Sequence, residues 1–141
     1  LLLPRNCQLL PGDKKAVTDF FASPIGQSLN GAGQVLREAD FIYAMPAKLI
    51  DPELNEGDKI LLQGTIDLAF RTAGGWTIVD YKSGRNIGQT DAEILNRYGR
   101  QLKLYAEAFS QIVKEPVTEV MLYFLGTNRV VKLDEAAVIR R

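Results

Sequence analysis

The chain has 141 residues, 46% hydrophobic and 24% charged, with a formal net charge of +0 at pH 7. This length and balance predict one soluble globular domain with its own core, and exclude a disordered chain, a transmembrane helix and a strongly basic nucleic-acid binder. There is no histidine and one cysteine, Cys7, which excludes histidine base or nucleophile chemistry, histidine-ligated zinc, an internal disulfide and a cysteine-rich metal cluster.

The opening LLLP is too short for the apolar region of a signal peptide, and a reducing, cytoplasmic setting fits the single cysteine. Residues 1–12 read as an irregular lead-in, after which Asp13 is placed to cap a helix through KKAVTDFFA. Ser23 followed by Pro24 signals the start of a second helix, which Gly31 and Gly33 end. The β-branched and aromatic run QVLREADFIYAMPAKLI reads as a strand, and DPELNEGDK as a polar loop. A hairpin follows, with strands at 60–71 and 76–82 around the turn TAGG. SGRNIGQ is a loop. From about Thr90 to Lys114 the apolar residues recur at helical spacing, with Thr90 or Asp91 as the cap and Pro116 as the stop. VTEVMLYFLG and RVVKL then read as two strands joined by a turn at TN.

Alternation places Ile60, Leu62, Gly64, Ile66, Leu68 and Phe70 on one face of the first hairpin strand, with Asp67 on the more polar face. In the second strand, Trp76, Ile78, Asp80 and Lys82 share a face. With ordinary hairpin pairing, Asp67 approaches Asp80 across the two strands. Two carboxylates at close quarters repel unless one is protonated or a cation intervenes. Mg²⁺ takes one or two carboxylates and completes its shell with water and phosphate oxygens. A lysine alongside can orient or deprotonate the attacking water, or stabilise charge on the phosphate. The same residues also suit a structural ion pair, with Lys82 neutralising Asp80 at a strand end and Asp67 capping a turn.

Between Lys82 and Lys103 the charge is locally +3 over 22 residues, a patch suited to an anionic substrate or to a solvated helix face. Gln101 and Tyr105 stand four apart on one helix face, where they can hydrogen-bond a phosphate or the lysine. Arg97, Arg100 and Lys103 flank them and are candidates for contacts to a DNA backbone.

The segments GTIDLAF, WTIVDYKSG and QLKLYAEAF resemble the three successive motifs of the RecB-like nucleases, a branch of the PD-(D/E)xK superfamily. The flanking FFASPIGQSL, READFIYAMPA and LYFLGTNRVVKL resemble the C-terminal nuclease region of AddA-type subunits of AddAB helicase–nucleases. The resemblance runs from about Phe20 to Leu133. It implies an α/β, restriction-endonuclease-like fold: a single domain with a mixed sheet between helices. Asp67, Asp80 and the main-chain carbonyl of Tyr81 would then ligate Mg²⁺ or Mn²⁺, and Lys82 would be the catalytic lysine. Gln101 and Tyr105 would position the scissile strand or the lysine, and Arg85, Arg97, Arg100 and Lys103 would contact DNA. Glu38, in READF, matches an acidic position and takes a supporting role.

The resemblance further implies a metal-dependent DNA exonuclease domain for double-strand-break repair and recombination. Its partners would be DNA, helicase domains of the same parent chain and an AddB-like second subunit, with no membrane. The family usually carries a metal-binding histidine on an upstream helix, absent here. Residues 1–141 thus read as a C-terminal portion lacking that helix and the ATP-dependent helicase domains. The single cysteine rules out the iron–sulfur cluster of some relatives. Two other readings use the same residues. A non-cleaving DNA-guiding or subunit-docking platform with a nuclease fold suits the neutral charge and the missing histidine. A stand-alone RecB-like nuclease, such as one associated with CRISPR adaptation, is opposed by the missing cysteine cluster and the AddA-like flanks.

Overall fold

The computed structural model describes residues 11–83 and 88–133, with side chains from Lys14 onward. Cys7 and Arg85 lie outside the described residues. Two helices, α1 (Pro11–Ala22) and α2 (Pro24–Asn30), precede the strands β1 (Gln34–Pro46), β2 (Lys59–Thr72) and β3 (Gly75–Lys82). The long helix α3 (Asp91–Val113) then leads to β4 (Val117–Phe124) and β5 (Arg129–Lys132). This is the predicted order of elements. α1 begins at Pro11, ahead of the expected cap at Asp13.

The local signals act as their chemistry requires. The Ser23 side chain accepts the Gly26 N–H at the start of α2, with Pro24 in the first turn, where its missing N–H costs nothing. Thr90 and Glu93 form a reciprocal capping box at the start of α3. Lys114 closes that helix in the left-handed region, at φ 59. Gly75 has φ 140 and completes the tight β2–β3 turn by pairing with Thr72.

The five strands form one sheet in sequence order, β1-β2-β3-β4-β5. Every neighbouring pair is antiparallel except β3 and β4, which are parallel and joined by α3 as the crossover. Two cores cover the two faces. Phe41, Ile66, Ala69, Ile78 and Leu122 pack against Ile94, Leu102, Ala106 and Phe109 of α3. Leu68, Phe70, Val79, Met121 and Tyr123 pack against Phe20, Ile25 and Leu29 of α1 and α2.

These two cores correct the expected alternation of β2. Ile66 belongs to the α3 face, but Leu68 and Phe70 belong to the other, and Ala69 takes the α3 side. β1 switches in the same way: Leu36 and Ala39 both pack toward α3, three residues apart. The ladder between β1 and β2 is broken at one rung. Arg37 pairs with Leu68 and Ala39 with Ile66, while Glu38 and Asp67, which would pair between them, form no bridge. Glu38 sits at φ 48, in the left-handed region, a conformation costing a non-glycine residue about 1–2 kcal/mol. The break turns both strands over at one position and so inverts their side-chain phase.

Candidate active site

The opening of the sheet explains why charges stand at its centre. β2 pairs with β3 only as far as Leu68 and Val79. β3 continues beside β4 to Lys82 and Phe124. Residues 80–82 therefore have a strand on one side only. The exposed Tyr81 N–H is taken by Asp67, whose Oδ2 accepts it at 2.8 Å. A carboxylate thus stands where a backbone carbonyl of β2 would otherwise accept.

Asp80 and Lys82 lie on the α3 side, in phase with the buried Trp76 and Ile78, as the spacing predicts. Lys82 Nζ is 2.9 Å from Asp80 Oδ2, and both side chains are mostly covered, at 26% and 20% exposure. The contact is an ion pair without hydrogen-bond geometry. Asp80 Oδ2 is buried and has no hydrogen-bond partner among the described residues.

Asp67 is half-buried, and burial pushes its carboxyl above the usual carboxylate range. The Tyr81 N–H opposes this, the nearby charge of Asp80 reinforces it, Lys82 opposes it and Glu38 reinforces it. The structure thus brings Asp67, Asp80, Lys82 and Glu38 within electrostatic reach of one another. The Tyr81 side chain points to the opposite face and meets Phe20 edge-on at 5.5 Å. Burial, and then the Asp67 charge, push its hydroxyl far above the usual tyrosine value, so it stays protonated.

α3 supplies the other wall. Gln101 Nε2 donates to Tyr105 Oη at 3.2 Å. The Tyr105 ring meets Phe41 edge-on at 5.0 Å and lies directly over Gly64, three residues before Asp67. Tyr98, which sequence reasoning missed, stands on the same helical stripe as Gln101 and Tyr105. Its ring centroid is 4.4 Å from Lys82 Nζ and 5.0 Å from the Arg97 guanidinium carbon. Its three- and seven-residue spacing to Gln101 and Tyr105 was the available signal.

The basic residues divide. Arg97 is exposed and lies on the site's flank of the helix. Arg100 is exposed but donates to the carbonyl of Ile50. Arg100 and Lys103 line a separate depression of about 280 Å³ with Leu95, Asn96, Gly99 and Leu133. Among the described residues, no group of three His, Cys, Asp or Glu side chains is gathered to hold a metal by itself, and no helix is long and apolar enough to cross a membrane.

An opened mixed sheet with two acids and a lysine at the mouth, backed by a glutamine–tyrosine helix, is the arrangement of a nuclease. The chain belongs to the PD-(D/E)XK nuclease superfamily, whose family model matches residues 14–140. It is similar to an ATP-dependent helicase/nuclease subunit of Pelotomaculum thermopropionicum, at 36% identity over 136 residues, covering 95% of this chain and 11% of the relative. The subunit of the same name from Geobacillus thermodenitrificans is 38% identical over 120 residues, covering 79% and 10%. That from Alkaliphilus metalliredigens is 37% identical over 118 residues, covering 82% and 10%. All three are of the AddA type. The chain thus spans about a tenth of the length of the curated relatives it matches.

Proposed function

We propose that this domain is a divalent-metal-dependent deoxyribonuclease, the exonuclease part of a helicase–nuclease that processes double-strand breaks for repair and recombination. In this reading the substrate is DNA. Helicase domains of the same parent chain deliver it, an AddB-like subunit is the partner, and the setting is cytoplasmic. The observation that carries the reading is the opened β2–β3 hairpin, with Asp67 and Asp80 converging beside Lys82.

The residues suit Mg²⁺ or Mn²⁺. Asp80 Oδ2 is buried without a hydrogen-bond partner, and Asp67 is an acid whose burial and acidic neighbours favour an added positive charge. Asp67, Asp80 and the Tyr81 carbonyl would hold the ion, a ligand set of the size Mg²⁺ accepts when water and phosphate complete its shell. When bound, the ion supplies Lewis-acid polarisation of the scissile phosphate and a more acidic water. Lys82 supplies ammonium donors to negative charge developing on the phosphoryl oxygens. The Tyr81 N–H fixes the orientation of the Asp67 carboxylate. Gln101 and Tyr105 form a hydrogen-bonded pair that orients the DNA strand or Lys82. Arg97, with Arg85, Arg100 and Lys103, engages the phosphate backbone, and Glu38 adds negative charge opposite Asp67.

The test is Asp80→Ala in the full-length parent enzyme. Nuclease activity is expected to fall at least about 10³-fold, the scale of losing a principal charge-stabilising element, with ATP-driven unwinding retained. Undiminished cleavage by that variant overturns the assignment. A wild-type enzyme that binds DNA but does not cleave it with Mg²⁺ or Mn²⁺ present points to a guiding platform instead.

A further inference from the structure

Lys82 is a flexible side chain with four rotatable bonds, yet the reaction needs its ammonium at one place. Asp80 gives it a single ion-pair contact at 2.9 Å that lacks hydrogen-bond geometry. That contact alone leaves the stem free to swing. The second contact is the Tyr98 ring, with its centroid 4.4 Å from the nitrogen, within the distance at which a ring face attracts a cation.

Tyr98 is itself held by the helix that carries it. Ile94 and Leu102, one turn to either side, are buried in the core against the sheet. Tyr105, two turns on, is seated over Gly64. The position of Tyr98 over β3 is therefore set by the same docking that places Tyr105 over β2. Arg97 approaches the same ring at 5.0 Å, so two cations of this chain already engage it, which disfavours a role in stacking a DNA base.

We infer that Tyr98 is a positioning residue for Lys82, its ring face holding the ammonium beside Asp80. The inference rests on the nuclease reading for its consequence, but its geometry is testable without it. In the full-length helicase–nuclease, Tyr98→Leu keeps apolar bulk and removes the ring, while Tyr98→Phe keeps the ring and removes the hydroxyl.

Nuclease kcat on a single-stranded oligonucleotide is expected to fall about tenfold in Tyr98→Leu, with KM within about twofold of wild type. Tyr98→Phe is expected to recover kcat to within about twofold of wild type, because the ring quadrupole rather than the hydroxyl makes the contact. ATP-driven unwinding serves as the check on folding.

The second readout needs no cleavage: the rate of Lys82 acetylation by acetic anhydride, followed by peptide mass spectrometry. It is expected to rise severalfold in Tyr98→Leu and not in Tyr98→Phe. The inference is overturned if Tyr98→Leu labels at the wild-type rate, if Tyr98→Phe is as impaired as Tyr98→Leu, or if Tyr98→Leu raises KM and leaves kcat unchanged. If Asp80→Ala and Lys82→Ala cleave like wild type, the nuclease reading fails instead, and the labelling rates still decide whether Tyr98 holds Lys82.

Discussion

A Cβ built on Gly64 would lie 2.4 Å from Tyr105 Oη and 2.5 Å from Tyr105 Cζ, distances that force the ring to move. Gly64→Ala is therefore expected to destabilise the fold by about 1–3 kcal/mol, the cost of overpacking a fixed site, in denaturant unfolding. Combining it with Tyr105→Leu should cost less than the sum of the two single changes, because the clash is removed with the ring. Asp67 shows the opposite balance between stability and function. Its folded-state carboxyl titrates above the ordinary value, so the folded form binds the proton more tightly than the unfolded chain does. Stability then decreases as pH rises through that raised value, and at neutral pH the ionised group opposes folding. Asp67→Asn keeps an acceptor for the Tyr81 N–H and removes the charge. In metal-free buffer at pH 7 it is expected to be at least as stable as wild type, by up to about 2 kcal/mol in thermal melts, while cleavage is lost.

At the level of elements, the loop between α3 and β4 ties the far end of the hairpin. Glu115 Oε2 accepts from Arg71 Nε of β2 at 2.6 Å and from Trp76 Nε1 of β3 at 2.7 Å. The Arg71 hydrogen bond holds its carboxyl below the usual 4.5; burial opposes this less strongly, and the Trp76 hydrogen bond adds to it. A depressed acid stabilises the fold above its unfolded pKa and loses that effect as pH falls through its folded value. Glu115→Gln should accordingly be less stable than wild type near neutrality. The difference between the two should shrink as pH drops below the usual 4.5, which thermal melts from neutral to strongly acidic pH would show. The strand break at Glu38 and Asp67 works at the same scale. It reverses which face β1 and β2 present to α3, so that Ile66 and Ala69 both reach the α3 core. Asp67, between them, is left at the mouth of the hairpin.

For the molecule as a whole, the formal charge of +0 makes any hold on DNA local rather than diffuse. Arg97 lies exposed on the site's flank, whereas Arg100 is engaged with Ile50. Arg97→Ala is expected to flatten the dependence of log K on log salt by about 1, one phosphate contact, and Arg100→Ala by less. Binding titrations between about 50 and 200 mM salt resolve that difference. The chain order of elements, the Ser23 and Thr90 caps, the hairpin and the pairing of Asp80 with Lys82 on one face were legible in the sequence. Each depends on neighbours within a few residues, and turn chemistry and alternation encode such neighbours directly. Residues far apart in the chain met only through the fold: Tyr105 with Gly64, Tyr98 with Lys82 and Asp67 with the Tyr81 N–H. Alternation misplaces the strand phase around Asp67 because it assumes an unbroken ladder, and the left-handed turn at Glu38 breaks it without adding a residue. The sequence by itself determined which chemical groups the site has and the elements that carry them. Only the tertiary structure decided how they converge, because the opening of β2 from β3 and the docking of α3 come from packing between distant segments, which no local pattern records.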